Sequence, residues 1–300
     1  MTAAIVNDFD SFIAKFNFEE ITERLSTTRS RRNSTDLLKL VKVYSSEARV
    51  TLPVIEPYLG KNKRILEVGA GLCLLSLFLR SQDYNIIALE PAQGGFDHFN
   101  DLKNSILESS QNMDLAVLDI TAQELDPAEN GHFDLIFSNN VLEHIPDINE
   151  AFLALANVLA PDGQMIHTCP NYVVPYEPHF GLPVVKFWPR ITSLVWPEEI
   201  NGQLDLWESL NFLSYFQLRK IATRYKLKIR FSKHVMYNAF LRIGHDSEFA
   251  KRHSSSTAGR IYRALVKLRL LNLIKVIPPA LSTPMIFEIS HKKDRELLRK

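Results

Sequence analysis

Apolar and polar positions along this chain change their period several times, and each change marks a different kind of element. Up to about residue 60 the apolar side chains recur at helical spacing. Asp36 is placed to start a helix through Leu37-Leu38-Lys39-Leu40-Val41 that runs toward Pro53. From residue 64 the pattern becomes short apolar runs separated by amphipathic stretches. Strands are predicted at 64–68, 85–90, 114–118, 133–138 and 164–169, with helices at 72–80, 96–109 and 149–159. Asn130-Gly131 and Pro161-Asp162-Gly163 mark turns between them.

Strands and helices in alternation build βαβ units, hence a parallel sheet with right-handed crossovers. Residues 170–205 then lose all period; they are aromatic, Pro-rich and too long for a plain connection, as functional loops are. A helix over 206–225 and strands at 227–231 and 284–290 complete the pattern. The organisation expected is an N-terminal helical cap (1–60), a core (61–233) carrying a lid insertion (170–205), a helical insertion (234–283), and a last strand with a basic tail (284–300).

Charge changes this picture more than composition does. The 300 residues sum to +1, yet residues 219–300 hold 20 Lys and Arg against 5 Asp and Glu, leaving 15 against 29 in 1–218. An acidic body is joined to a basic C-terminal part. Within the latter, 260–275 reads as one helix with Arg260, Arg263, Lys267 and Lys275 on one side and Arg269 opposite. It suits a solvated face on a packed helix, an anionic membrane surface or a dock for a phosphorylated substrate. A composition 46% hydrophobic and 23% charged is that of a globular chain and excludes disorder or a disulfide scaffold. Two cysteines, Cys73 and Cys169, in apolar surroundings read as buried thiols of a reducing compartment. The N-terminus lacks a secretory pattern, so a cytoplasmic location is expected, peripheral at a membrane if the basic insertion docks there.

The candidate chemistry begins at Glu67-Val68-Gly69-Ala70-Gly71, where a strand turns through two glycines into a helix and lets a ligand approach backbone N–H groups. A complete dinucleotide fingerprint would have glycine at 74, where Leu74 stands. Glu90 ends the second strand 19 residues after Gly71, where a carboxylate can accept both hydroxyls of a ribose. Asp119-Ile120 ends the third, offering an acid for an adenine amino group and an apolar cover for its ring.

Together with Phe133-Asp134-Leu135-Ile136-Phe137-Ser138-Asn139-Asn140-Val141-Leu142-Glu143-His144-Ile145 and Leu159-Ala160-Pro161-Asp162-Gly163, these residues resemble the class I S-adenosylmethionine-dependent methyltransferases. Cys73 departs from the pattern, since many members have a third glycine there. The resemblance covers about 60–170 and implies an α/β fold: a seven-stranded Rossmann-like methyltransferase sheet with helices on both faces, its last strand reversed, an N-terminal helical cap and substrate-side insertions. It implies S-adenosylmethionine as cofactor, bound by Glu67, Gly69, Ala70, Gly71, Glu90, Asp119, Ile120, Asn139 and Leu142. It also implies an enzyme that works chiefly by orientation, with a general base if the acceptor is a hydroxyl.

For that base the chain offers His144 after the fourth strand and His179 in the lid, with Tyr172, Tyr176 and Glu177 able to orient an acceptor. The plainer alternatives are packing roles for His144 and for the lid aromatics. His167, mid-strand, reads as core. Asn139-Asn140 are poor ligands for a hard cation, and neither H-E-x-x-H nor paired C-x-x-C occurs, so no metal is expected. The expected acceptor is a small molecule or saccharide, with a lipid-linked one suiting the basic insertion. N-methylation, RNA methylation and a non-catalytic S-adenosylmethionine-binding scaffold are the competing readings. Nucleic acid is disfavoured because no RNA or DNA module is recognisable.

Overall fold

The computed structural model describes residues 2–28, 33–91, 99–110, 113–184, 186–245, 249–250, 254 and 256–292. Its helices are α1 (Thr2–Ile13), α2 (Phe18–Thr28), α3 (Ser34–Ile55), α4 (Leu74–Ser81), α5 (Asn100–Ser109), the single turn α6 (Pro127–Asn130) and α7 (Ile148–Asn157). Beyond the fifth strand come α8 (Pro189–Val195), α9 (Pro197–Asn201), α10 (Leu204–Ser209), α11 (Tyr215–Arg224), α12 (Val235–His245) and α13 (Thr257–Lys267). The strands are β1 (Arg64–Val68), β2 (Asn85–Leu89), β3 (Ala116–Leu118), β4 (Phe133–Asn139), β5 (Leu159–Cys169), β6 (Leu227–Phe231) and β7 (Met285–His291). The strand order is β3-β2-β1-β4-β5-β7-β6, the seven-stranded mixed sheet expected. β1 pairs in parallel with β2 and β4, β2 with β3, and β6 runs antiparallel to β7.

The chain forms two compact units, 1–139 with 147–166, and 140–146 with 167–300. In the first, β1 and β4 are apolar runs because strands of a parallel sheet are buried on both faces; Ile65, Leu66, Leu135 and Ile136 are fully buried. The N-terminal helices belong to this unit: Phe9 packs edge-on against Phe78 of α4 at 5.3 Å, and Leu52 and Ile55 close over the same core. Each such side chain contributes about 1.5–3 kcal/mol by leaving water. In the second unit β7 alternates, with Met285, Phe287 and Ile289 buried and the residues between them part-exposed. Arg230 stands opposite Glu288 across the β6–β7 pair.

Several boundaries differ from expectation. The cap of α3 is Asn33, whose side chain accepts the Asp36 N–H, so Asp36 lies inside the helix. β5 begins at Leu159 and carries Pro161-Asp162-Gly163 within it. A Cβ on Gly163 would lie 2.9 Å from the Ala160 and Phe133 carbonyls, so glycine serves close backbone approach there. The helix expected over 206–225 is broken at 210–214, where Phe212 adopts φ +52° and Asn211 turns its side chain onto the backbone. The helix expected over 260–275 ends at Lys267: Arg269 adopts φ +58°, and Leu271–Val276 forms a separate 3₁₀ stretch. Of the second-strand turn and helix start, 92–98 lie outside the described residues.

Candidate active site

In the first unit the turn from β1 to α4 is built on left-handed backbone: Gly69 at φ +68°, Gly71 at φ +55° and Cys73 at φ +57°. Glycine adopts this conformation without steric cost, which explains why a glycine would also suit position 73. Gly69 and Ala70 direct their N–H groups to the Leu89 carbonyl at 2.8 and 3.1 Å, tying the loop to the end of β2. Gly71 donates its N–H to Oε2 of Glu90 at 2.6 Å. The two features paired in the sequence 19 residues apart are therefore in direct contact. A carboxylate accepts about four hydrogen bonds, so the two from a ribose diol fit beside that of Gly71.

Glu67, at the same edge, is buried and accepts a hydrogen bond from the Ser76 hydroxyl. Burial, with Glu90 adding repulsion, pushes its carboxyl up to about 8. Burial likewise raises the Cys73 thiol, which stays protonated. Asp119 is exposed and Ile120 half-buried just past β3; Asn139 ends β4 and is half-buried. Two residues escaped the sequence reading. Tyr44 of α3 covers Gly71, its Cε1 2.2 Å from where a Cβ would stand, and Lys103 of α5 donates to the Glu90 carbonyl at 3.3 Å. No local signal points to either; the helical cap delivers one and α5 the other.

The second unit gathers the candidate catalytic residues. His179 places Nδ1 2.7 Å from Oε1 of Glu177. Glu177 is fully buried and accepts further hydrogen bonds from the Tyr172 hydroxyl at 3.1 Å and the Phe180 N–H at 2.8 Å. Tyr172 is thus the tyrosine that reaches the carboxylate; Tyr176 is half-buried, and burial raises its phenol. His144 stacks edge-on with His179 at 5.1 Å and places its own Nδ1 2.7 Å from Ser209 Oγ. Burial, then the neighbouring His179, pushes His144 down to about 3, so it is neutral at physiological pH.

Glu143 is fully buried and places Oε1 4.0 Å from Nε2 of both His144 and His179. The three ligand atoms lie within 4.8 Å of one another and could hold a metal ion. Glu143 was present in the fourth-strand motif, but its chemical part depends on His179, 36 residues later. Leu142, which the resemblance gave to the cofactor, is fully buried in the same turn. Asn211 clasps that turn, donating to the Leu142 and Ile145 carbonyls at 2.7 and 2.9 Å while its N–H bonds the Glu143 carbonyl at 2.8 Å. His167 is buried against Phe287, as a core residue, and Cys169 is a buried thiol raised chiefly by desolvation.

An uncharacterized protein of Mycobacterium tuberculosis is 34% identical over 231 residues, covering 74% of this chain and 76% of its own. The ubiquinone biosynthesis O-methyltransferase of Dechloromonas aromatica is 29% identical over 103 residues, 34% of this chain and 42% of its own. Among solved structures, phosphoethanolamine N-methyltransferase 2 of Haemonchus contortus aligns over 81% of this chain and 52% of its own, at 15% identity and a TM-score of 0.45. This chain thus spans about half the length of that structure. The family model described as a methyltransferase domain matches residues 42–228, from α3 through the glycine loop, Glu90 and the histidine cluster to β6. The chain belongs to that family, the class I methyltransferases whose cofactor is S-adenosylmethionine.

Proposed function

We propose that this methyltransferase acts on a hydroxyl group of a small-molecule or saccharide acceptor. The observation carrying the reading is the Glu177–His179 pair, with Nδ1 of the imidazole held 2.7 Å from a buried carboxylate. A hydroxyl is poorly ionised at neutral pH, so an oxygen acceptor needs a base. A carboxylate on Nδ1 keeps the Nε2 lone pair available, orients the ring and stabilises the imidazolium once it forms. Bound S-adenosylmethionine supplies an electrophilic methyl carbon. Glu90 then orients the ribose diol, Ile120 covers the adenine ring, Asp119 receives its amino group, and the Gly69–Gly71 backbone allows close approach. Nε2 of His179 takes the acceptor proton, and neutral His144 beside it limits the build-up of positive charge.

The test is release of S-adenosylhomocysteine with matched phenol, sugar and amine acceptors. His179→Ala should lower turnover of the hydroxyl acceptor by about 10²–10⁴-fold while affinity for S-adenosylhomocysteine is kept. Glu90→Ala should lower that affinity by at least about tenfold. Full turnover by His179→Ala at every pH, or methylation of amines or RNA alone, would defeat the reading.

A lipid-linked acceptor fits a further feature of the second unit. Residues 257–281 contain five basic and no acidic residues. Arg260, Arg263 and Lys267 of α13 are exposed, and so are Leu268, Leu270, Leu273 and Val276 beyond it. Apolar side chains for the interface interleaved with cations for anionic headgroups are what a surface-bound helix uses. Among the described residues no helix is long and apolar enough to cross a membrane.

A further inference from the structure

We propose that Glu143, His144 and His179 form a binding site for a divalent transition-metal ion, with an open position that takes the acceptor oxygen. The site exists independently of the hydroxyl reading; its role in catalysis rests on that reading. Oε1 of Glu143 stands 4.0 Å from each histidine Nε2, and the three atoms lie within 4.8 Å. Bonds of about 2.0–2.2 Å to a tetrahedral ion set the ligand atoms roughly 3.4 Å apart. Closure by about half an ångström to one and a half ångströms per pair, within reach of side-chain rotation, completes the triangle.

The tautomers agree with this use. Ser209 Oγ donates its single proton to the Leu206 carbonyl at 2.8 Å, so it accepts from Nδ1–H of His144. Nδ1 of His179 donates to Oε1 of Glu177. Each ring therefore presents the Nε2 lone pair toward the Glu143 carboxylate, and three electron-rich atoms converge where a cation would be held. Metal-bound histidines are fixed in this way, their second nitrogen donating to a carboxylate or other acceptor.

Ligand number and type narrow the ion. Three protein ligands leave the fourth position of a tetrahedral ion for an exchangeable oxygen, the pattern of catalytic sites. Two imidazoles with one carboxylate suit zinc and neighbouring transition ions rather than magnesium or calcium. Glu143 is fully buried, while the His179 side chain is 23% exposed, so access lies on the His179 side. With the ion bound, both Nε2 lone pairs are engaged. The ion would lower the pKa of a coordinated acceptor hydroxyl, whose proton would leave to solvent; in the ion-free site Nε2 of His179 takes that proton instead.

The experiment is titration of the chelator-stripped full chain with Co²⁺, followed by visible absorption and metal analysis, and then by Zn²⁺ displacement. One Co²⁺ per chain with the intense bands of a tetrahedral site is expected. His179→Ala and Glu143→Gln should weaken binding at least about 100-fold; Ser209→Ala, which removes only the orienting acceptor, should weaken it about 10–100-fold. His179 lies on a part-exposed segment, so its variant is checked by circular dichroism and serves where Glu143→Gln fails to fold. Sub-stoichiometric binding, or unchanged affinity in a folded His179→Ala chain, overturns the site. Undiminished turnover in stripped protein overturns the ion's part in catalysis and leaves His179 as base. Stoichiometric binding without methylation of any hydroxyl supports the site and defeats the hydroxyl reading instead.

Discussion

Replacing Gly71 by alanine tests how the cofactor loop is held. The residue sits at φ +55°, and a Cβ there would lie 2.2 Å from Tyr44 Cε1 and 2.7 Å from Cδ1. Left-handed backbone costs an L-residue about 1–2 kcal/mol. Forcing a methyl group against a packed ring costs a further 1–3 kcal/mol or so. Tyr44 cannot yield freely, because its ring meets Phe99 edge-on at 5.7 Å. The expected loss is about 2–5 kcal/mol, concentrated in the first unit.

Urea unfolding followed by circular dichroism measures the stability change, and calorimetry with S-adenosylhomocysteine measures the affinity lost as the loop shifts and the Gly71–Glu90 hydrogen bond lengthens. A companion Tyr44→Ala background should return the steric part and leave the backbone part, a coupling of roughly 1–3 kcal/mol. An unchanged urea midpoint together with unchanged affinity in Gly71→Ala would refute the argument. So would strict additivity with Tyr44→Ala.

The Glu67 carboxyl, raised from 4.5 to about 8 by burial, binds a proton in the folded chain that the unfolded chain releases. The stability this contributes is complete below about pH 4.5 and is lost as pH rises through about 8. Glu67→Gln should therefore flatten that fall in urea midpoint across the window; an identical pH profile would count against a protonated Glu67. Asn211→Ala removes two side-chain hydrogen bonds to the 142–145 turn and one from the Leu213 N–H, and should cost about 2–4 kcal/mol. It should lower kcat with little change in KM for S-adenosylmethionine, and unaltered stability and kcat would show that the clasp is dispensable. The full chain should sediment with phosphatidylglycerol vesicles and not with phosphatidylcholine alone. Arg263→Glu with Lys267→Glu should weaken that binding at least tenfold, at about 1 kcal/mol per basic group, and equal binding to both vesicles would exclude the anionic surface.

Much of the first unit was legible in the chain because its signals are local. β1 and β4 are built around Ile65-Leu66 and Leu135-Ile136-Phe137, short apolar runs of the kind that strands buried on both faces carry. Gly69, Gly71 and Glu90 are spaced by the βαβ unit itself, so reading their separation amounted to reading their contact. Where local signals compete, the boundary moved: Asn33 outbid Asp36 as cap, and the side chain of Asn211 interrupts what apolar spacing alone would make one helix.

The chemistry of the second unit is a different matter. His144, Glu177 and His179 are each visible as residues that could serve, but a histidine's role depends on what its other nitrogen meets. That is Ser209 in one case and Glu177 in the other. Glu143 acquires its part only when the lid places His179 within 4.0 Å of it. Tyr44 reaches Gly71 from a helix 27 residues earlier in the chain. The sequence by itself determined the periodicities, the glycine turn and the acid that follows it, because those follow from neighbouring residues and element length. Only the tertiary structure decided which acids and imidazoles share a site, because hydrogen bonding and desolvation act across space and leave no trace in spacing along the chain.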